Sequence, residues 1–287
     1  MIGQAERLIK LKNLEKNGAG PGNLKVISFT SGKGGTGKTF ISLSIAYILS
    51  TLNKRVLFID ADLNFANSNI LLNIIPKASI DNFFKGNKLL NEVVTKYNSN
   101  LHLIFGASGE NEPLELKNEL VTMLFNGLNK LKEKYDFIII DTASGGQKGL
   151  INLLSFSDID IIVTSPEPTA VMDAYVMVKL LNNEQYKGKK LILVNKCSSR
   201  EDAQTAFNNI KTASGYFLKE NVELLGYLNY DETVFQSITK QELLVINNPA
   251  AKICDRLTGL AGALTDIIQL ANIPHSKSNQ ITNHSNF

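Results

Sequence analysis

Cysteine, histidine and long stretches of one character are what this 287-residue chain has little of, and each shortage removes a class of function. Its two cysteines, Cys197 and Cys254, lie far apart with no C-x-x-C spacing. That argues against a zinc or iron–sulfur site and fits packed thiols in a reducing cytoplasm. The three histidines, His102, His275 and His284, show no ligand pattern. No stretch approaches the roughly 20 apolar residues needed to span a bilayer, and Gln4, Glu6, Arg7, Lys10 and Lys12 interrupt any apolar signal region near the start. A cytoplasmic protein is expected. Basic and acidic residues nearly balance, 30 against 27, and no basic run appears, so the overall charge of +3 does not announce a nucleic acid. A basic patch assembled in space stays open. At 44% hydrophobic and 20% charged, the chain can bury a full core, and its length suits one large domain with short appendages.

What the sequence does contain is concentrated in Leu24 to Thr39, LKVISFTSGKGGTGKT. The apolar run Val26 to Phe29 empties into a glycine-rich loop, and from Gly32 the spacing fits G-x-x-x-x-G-K-[ST] through Lys33, Gly34, Gly35, Thr36, Gly37, Lys38 and Thr39. Glycines let backbone N–H groups converge on the α- and β-phosphates of a nucleotide. Lys38 supplies positive charge to the β- and γ-phosphates, and the Thr39 hydroxyl is placed to ligate Mg²⁺. Ile41, Leu43, Ile45, Ala46, Ile48, Leu49 and Leu52 then make a helix that is apolar nearly all round, as burial against a sheet requires. Its N-terminal dipole adds to the anion site. The motif implies a nucleotide polyphosphate with Mg²⁺.

Elsewhere the pattern alternates strands and helices. Residues 3–16 place Leu8, Leu11 and Leu14 on one stripe of a short helix, and NGAGPGN (17–23) reads as a linker. Arg55 to Asp62 is an apolar strand ending in two carboxylates. Short helices are expected over 80–84 and 89–97, a strand over 101–105, a polar loop over 106–113 and a helix over 116–134. Apolar strands follow at 135–141, closed by Asp141, at 160–165, at 190–195, ending in Asn195, and at 223–231. A helix over 249–271 carries Ile253, Leu257, Leu260 and Leu264 on one face, and the tail from Asn272 is polar, with no apolar stripe to hold a membrane. This order predicts an α/β fold, a mostly parallel sheet with helices on both faces and functional residues at the carboxyl ends of its strands.

The loop KGGTGKT resembles the deviant Walker A loop of the MinD/ParA ATPases, a class of P-loop NTPase, and the resemblance runs from about Leu24 to Ala271. It implies that Lys33 crosses a dimer interface to touch phosphates held by the other subunit, the logic of an arginine finger supplied in trans. RVLFIDADLNFANSN is similar to the family's switch I, with Asp60, Asp62 and Asn67 on matching positions. The resemblance thereby assigns Asp62 to the attacking water and Asp60 to supporting the ligands around Mg²⁺, against the plainer readings of helix cap or solvated strand end. YDFIIIDTASGG resembles the Walker B strand and switch II, so Asp141 is expected to hold Mg²⁺, most simply through water. Relatives carry a glycine close behind this aspartate, whereas Ala143 and Ser144 intervene here before Gly145 and Gly146.

PEPTAVMDAYVMVKLL is similar to flagellar members of the MinD-like group. Glu167 and Asp173 either face a dimer partner or, with Thr169, cap and charge the helix start. Asn195 falls where the family recognises adenine, with Lys196 beside it, and Asn229 to Asp231 are expected near the base or ribose. GQAERL resembles the element with which flagellar-number regulators of the FlhG (FleN, YlxH) type stimulate a partner GTPase, although Gly3 stands where aspartate is usual. The resemblance therefore implies a slow, partner-regulated ATPase that dimerises on ATP and regulates flagellum number or placement. Expected divisions are a partner-binding helix and linker (1–22), an ATPase domain (23–271) and a polar tail (272–287). Expected partners are a second copy, an FlhF-type GTPase bound through residues 3–14, and flagellar basal-body proteins or a transcription regulator. Membrane contact is expected to be weak, peripheral and through partners, and no specific nucleic acid is expected. The main alternative is a partition ATPase binding DNA non-specifically through lysine and arginine contacts to phosphate. A nucleotide-gated scaffold with negligible hydrolysis is the other.

Overall fold

Strands covered on both faces need no polar alternation, and the central runs of this chain are apolar on both sides. They form β1 (Lys25–Thr30), β2 (Val56–Ala61), β4 (Leu101–Ile104), β5 (Phe137–Thr142), β6 (Ile159–Thr164) and β7 (Lys189–Cys197), with β3 (Thr95–Lys96) and β8 (Glu223–Asn229) at the edges. The computed structural model describes residues 24–64, 66–107 and 115–271. The segments expected as partner-binding arm (1–22) and tail (272–287), and most of the loop over 106–113, lie outside the described residues. The sheet runs β3-β4-β2-β5-β1-β6-β7-β8, parallel throughout except for the β3–β4 pair. Chain order reverses around β1, which pairs with β5 on one side and β6 on the other. A ligand crevice is expected at the carboxyl ends of the strands at such a point. There, register sets Asp60 of β2 and Phe29 of β1 on either side of Asp141 of β5.

Helices cover both faces. On one, α1 (Lys38–Thr51) contributes Ile41, Ile45 and Leu49 to a core with Ile27, Phe29 and Phe58 of the sheet. Of the short helices α2 (Ser68–Leu71) and α3 (Ile80–Phe84), the second packs on the opposite face. That opposite face is built by α4 (Asn118–Asn129), α5 (Lys148–Leu154), α6 (Pro168–Asn183) and α7 (Arg200–Ala213), through Leu124, Leu153, Val178 and Phe207 against Leu57, Ile138 and Ile192. After β8 come α8 (Glu232–Thr239) and α9 (Leu244–Asn247), and α10 (Lys252–Ala271) returns beside α1 with Leu257 and Leu264 buried. Each such aliphatic side chain, taken fully from water, stabilises the fold by about 1.5–3 kcal/mol. Both cysteines are buried as expected, and burial pushes the Cys197 thiol up to about 11.

Several expected elements are revised. Residues 89–97 are not a helix but a 3₁₀ turn, Leu90–Glu92, followed by the edge strand β3. The β-branched run Val93, Val94 and Thr95 disfavours continued helix. The helix expected over 116–134 is α4 plus a separate 3₁₀ turn, Lys132–Lys134, and the helix expected from 249 begins at Lys252. Helices α2, α5, α7, α8 and α9 have no counterpart among the expected elements.

Candidate functional site

The glycine loop between β1 and α1 is wedged between two neighbours. Gly35 (φ +79°) and Gly37 (φ +90°) adopt left-handed backbone that side-chain-bearing residues rarely enter. A Cβ at Gly37 would lie 2.4 Å from Asn195 Nδ2, and one at Gly32 would lie 2.4 Å from the Asp173 carbonyl oxygen. The loop is thus pressed by the end of β7 on one side and by α6 on the other.

Inside it, four side chains converge on Asp141. Lys38 Nζ donates to Asp141 Oδ1 at 2.9 Å and also to the Thr142 carbonyl. Thr39 Oγ1 donates to Asp141 Oδ2 at 2.6 Å, and Ser42 Oγ to Oδ1 at 3.1 Å. The Lys38 and Asp141 side chains are only 8% and 1% exposed, so each charge depends on the other. Asp60 is the fourth neighbour and the only carboxylate among the four: buried, it accepts from Asp62 N at 3.1 Å and Ser68 N at 3.2 Å. Burial, reinforced by the Asp141 charge alongside, pushes its carboxyl up to about 6. Asp60 therefore shapes the loop that carries Asp62. Asp62 itself is half-buried and accepts from Asn64 N at 3.3 Å, while Asn67 is exposed. On the other flank Gly145 N donates to Ser31 O at 2.9 Å, tying the loop after Asp141 to the glycine loop, and Gly145 again has positive φ.

These residues fit a magnesium nucleotide. Thr36 Oγ1 is buried in the loop with no hydrogen-bond partner among the described residues. Among the described residues no group of three or more His, Cys, Asp or Glu could hold a metal ion alone. A site offering one hydroxyl, one carboxylate and phosphate oxygens suits Mg²⁺, which binds through few protein ligands and keeps several waters.

The remaining expected residues divide. Lys33 Nζ donates to Glu167 Oε2 at 2.8 Å and to Thr169 Oγ1 at 3.4 Å, on the α6 side and away from the Asp141 cluster. Hydrogen bonding to each other raises the Lys33 ammonium and lowers the Glu167 carboxyl. Thr169 does not cap α6: Glu167 is the residue before it, with no side-chain cap, and Pro168 opens the first turn. Asn195 Nδ2 donates to Thr36 O at 2.8 Å, so at least one of its donors serves the loop. Asp231 Oδ1 accepts from Thr233 N at 2.9 Å and caps α8, beyond the edge strand. Sequence reasoning missed two residues, Ser42 and Asp160, and set a third, Lys196, beside the base, whereas it contacts the loop. Ser42 and Lys196 complete the contacts around the loop, Lys196 Nζ donating to Gly35 O at 2.7 Å. Asp160, a charge inside the apolar strand IDIIVT, lies opposite the hydroxyls of Ser28 and Thr30, and that mismatch was its available signal.

A parallel sheet whose first strand opens into a glycine loop at the reversal of strand order, with a helix-start lysine and threonine meeting a strand-end carboxylate, defines a P-loop nucleotide-binding protein. A family model described as AAA domain (AAA_31) matches residues 24–194. The antiactivator FleN of Pseudomonas aeruginosa is 28% identical over 229 residues, 80% of this chain and 82% of that protein. The flagellum site-determining protein YlxH of Helicobacter pylori is 27% identical over 267 residues, 91% and 90% of the two chains. The septum site-determining protein MinD of Synechocystis is 30% identical over 225 residues, 77% and 82%. In structure, the cell division ATPase MinD of Pyrococcus furiosus matches with TM-score 0.69 at 23% identity, covering 85% of this chain and 99% of that one. MinD of Pyrococcus horikoshii complexed with Mg-ADP matches with TM-score 0.69 at 24% identity, covering 87% and 98%. The chain belongs to the MinD/ParA family of P-loop ATPases.

Proposed function

We propose that the chain is an ATP-driven dimerisation switch with slow, Mg²⁺-dependent and partner-regulated hydrolysis, which regulates flagellum number or placement. The observation that carries this reading is the position of Lys33. Of the two loop lysines only Lys38 turns into the Asp141 cluster, while Lys33 lies outside on α6 at 2.8 Å from Glu167. A cation held outside its own cradle is available to complete the cradle of a facing copy. In this reading the amides from Gly34 to Thr39 hold the phosphates and Lys38 balances their charge. Thr39 and Asp141 would hold Mg²⁺, with Asp60 behind them. Asp62 orients the attacking water, and Asn195 and Asp231 lie on the base and ribose side. When bound, the metal nucleotide supplies the phosphoryl group and the charge that two lysines stabilise.

The flagellar assignment is supported by the likeness to FleN and YlxH over 80% and 91% of the chain. Residues 3–14 would engage an FlhF-type GTPase, with basal-body proteins or a transcription regulator as further partners, in the cytoplasm and at the membrane only through them. ATP turnover of the purified chain tests the enzymatic core: slow, Mg²⁺-dependent release of phosphate is expected, abolished in Asp62→Ala. Undiminished turnover in that variant would remove Asp62 from the water-positioning role. Deleting residues 1–20 is expected to spare that turnover and end stimulation of the GTPase, and an unchanged GTPase rate would sever the flagellar link.

A further inference from the structure

Two consecutive residues at the end of β7 reach across to two consecutive carbonyls of the glycine loop. Asn195 Nδ2 donates to Thr36 O at 2.8 Å, and Lys196 Nζ donates to Gly35 O at 2.7 Å, across sequence separations of 159 and 161 residues. The contact is built at some expense to the strand. Lys196 sits at φ +59°, a left-handed conformation that a lysine adopts only where its surroundings hold it there. The pairing of β7 with β8 falls out of step between Val194 and Cys197, where this residue is inserted. Asn195 is buried at 7% exposure, against the face of Gly37 that a Cβ would fill.

We infer that Asn195 and Lys196 are positioning residues that clamp the phosphate loop. A trans peptide is planar, with its C=O and the following N–H pointing in opposite directions. Drawing the Gly35 carbonyl toward Lys196 therefore turns the Thr36 N–H the other way, and drawing the Thr36 carbonyl toward Asn195 does the same for the Gly37 N–H. The pair fixes the orientation of loop amides that would otherwise rotate freely, because glycine places little restraint on them. It thus acts on the phosphates through the loop. The family resemblance sets Asn195 at the base; the clamp is a further task of the same side chain, with different consequences. The inference rests on the phosphate-cradle reading above.

The test compares Mg²⁺-ATP with Mg²⁺-tripolyphosphate, which has no base or ribose, by calorimetry on the full chain, together with amide hydrogen exchange over residues 34–39 in the nucleotide-free protein. Lys196→Met keeps the stem and removes the donor. Both affinities are expected to fall by about tenfold, the scale of one charged hydrogen bond, and loop exchange to quicken by a similar factor, with Lys196→Arg restoring both. Asn195→Leu is expected to behave like Lys196→Met. Lys196→Gly relieves the left-handed strain, so its thermal stability is expected not to fall while its loop exchange still quickens. Lost ATP affinity with unchanged tripolyphosphate affinity and unchanged loop exchange would overturn the clamp and return the pair to the base. Wild-type protein that binds neither ligand would remove the cradle reading instead, and the exchange measurement would still decide the clamp.

Discussion

Lys33 and Glu167 of one chain form an ion pair at 2.8 Å on the outer side of the glycine loop, with side chains 44% and 62% exposed. Exposed pairs hold their members weakly, so Lys33 is parked on α6 and easily withdrawn. Glu167→Gln is expected to lower the ATP concentration at half-maximal dimerisation, by less than about fivefold given that weakness. Light scattering across an ATP-analogue titration checks this. A raised requirement would show that Glu167 serves the dimer contact itself.

Lys38 and Asp141 are a different kind of pair, almost wholly out of water at 2.9 Å. Among the described residues, Lys38→Ala leaves a buried carboxylate with only the Thr39 and Ser42 hydroxyls as partners. A loss of about 3 kcal/mol in denaturant-measured stability is expected, together with at least a hundredfold loss of ATP affinity. Calorimetry showing unchanged affinity would contradict the assignment of Lys38 to the phosphates.

Gly32 is required by its neighbour. A Cβ there would meet the Asp173 carbonyl oxygen at 2.4 Å and the Asp173 Cβ at 2.6 Å, both on α6. Gly32→Ala is expected to cost about 1–3 kcal/mol by forcing α6 from the loop. Urea denaturation reads this directly, and unchanged stability would mean that α6 yields freely.

Asp160 gives the fold a pH dependence. Its carboxyl, buried between Ser28 Oγ at 2.8 Å and Thr30 Oγ1 at 2.9 Å, is pushed up to about 7 by desolvation, against an unfolded value near 3.8. A raised value means that the native state holds this proton longer than the unfolded chain does. The contribution is therefore complete below about pH 4 and is lost as pH rises through about 7. In Asp160→Asn the hydroxyl contacts remain and the titration does not, so the stability–pH slope between 4 and 7 is expected to flatten. An unchanged slope would place the proton elsewhere.

These cases show what the sequence could and could not reveal. The cradle was legible because Gly32 to Thr39 are contiguous and their chemistry is set by spacing. Asp60, Asp62 and Asp141 were legible because each ends an apolar strand. The clamp and the Asp160 network were not, because Lys196 meets Gly35 across 161 residues and Ser28 meets Asp160 across 132. Only strand order brings them together. The helix expected over 89–97 failed for the opposite reason: Leu89, Leu90 and Val93 mimic helical spacing locally, while Thr95 and Lys96 pair with Leu103 and His102 of β4.

The central claim is that nucleotide converts one copy into two through Lys33. Its most direct test is the mass in solution, by light scattering, of wild type and Lys33→Ala with a non-hydrolysable ATP analogue and Mg²⁺. The account predicts a doubled mass for wild type, and a single-chain mass for Lys33→Ala that still binds the analogue. A wild-type protein that keeps the mass of one chain at saturating analogue would contradict it.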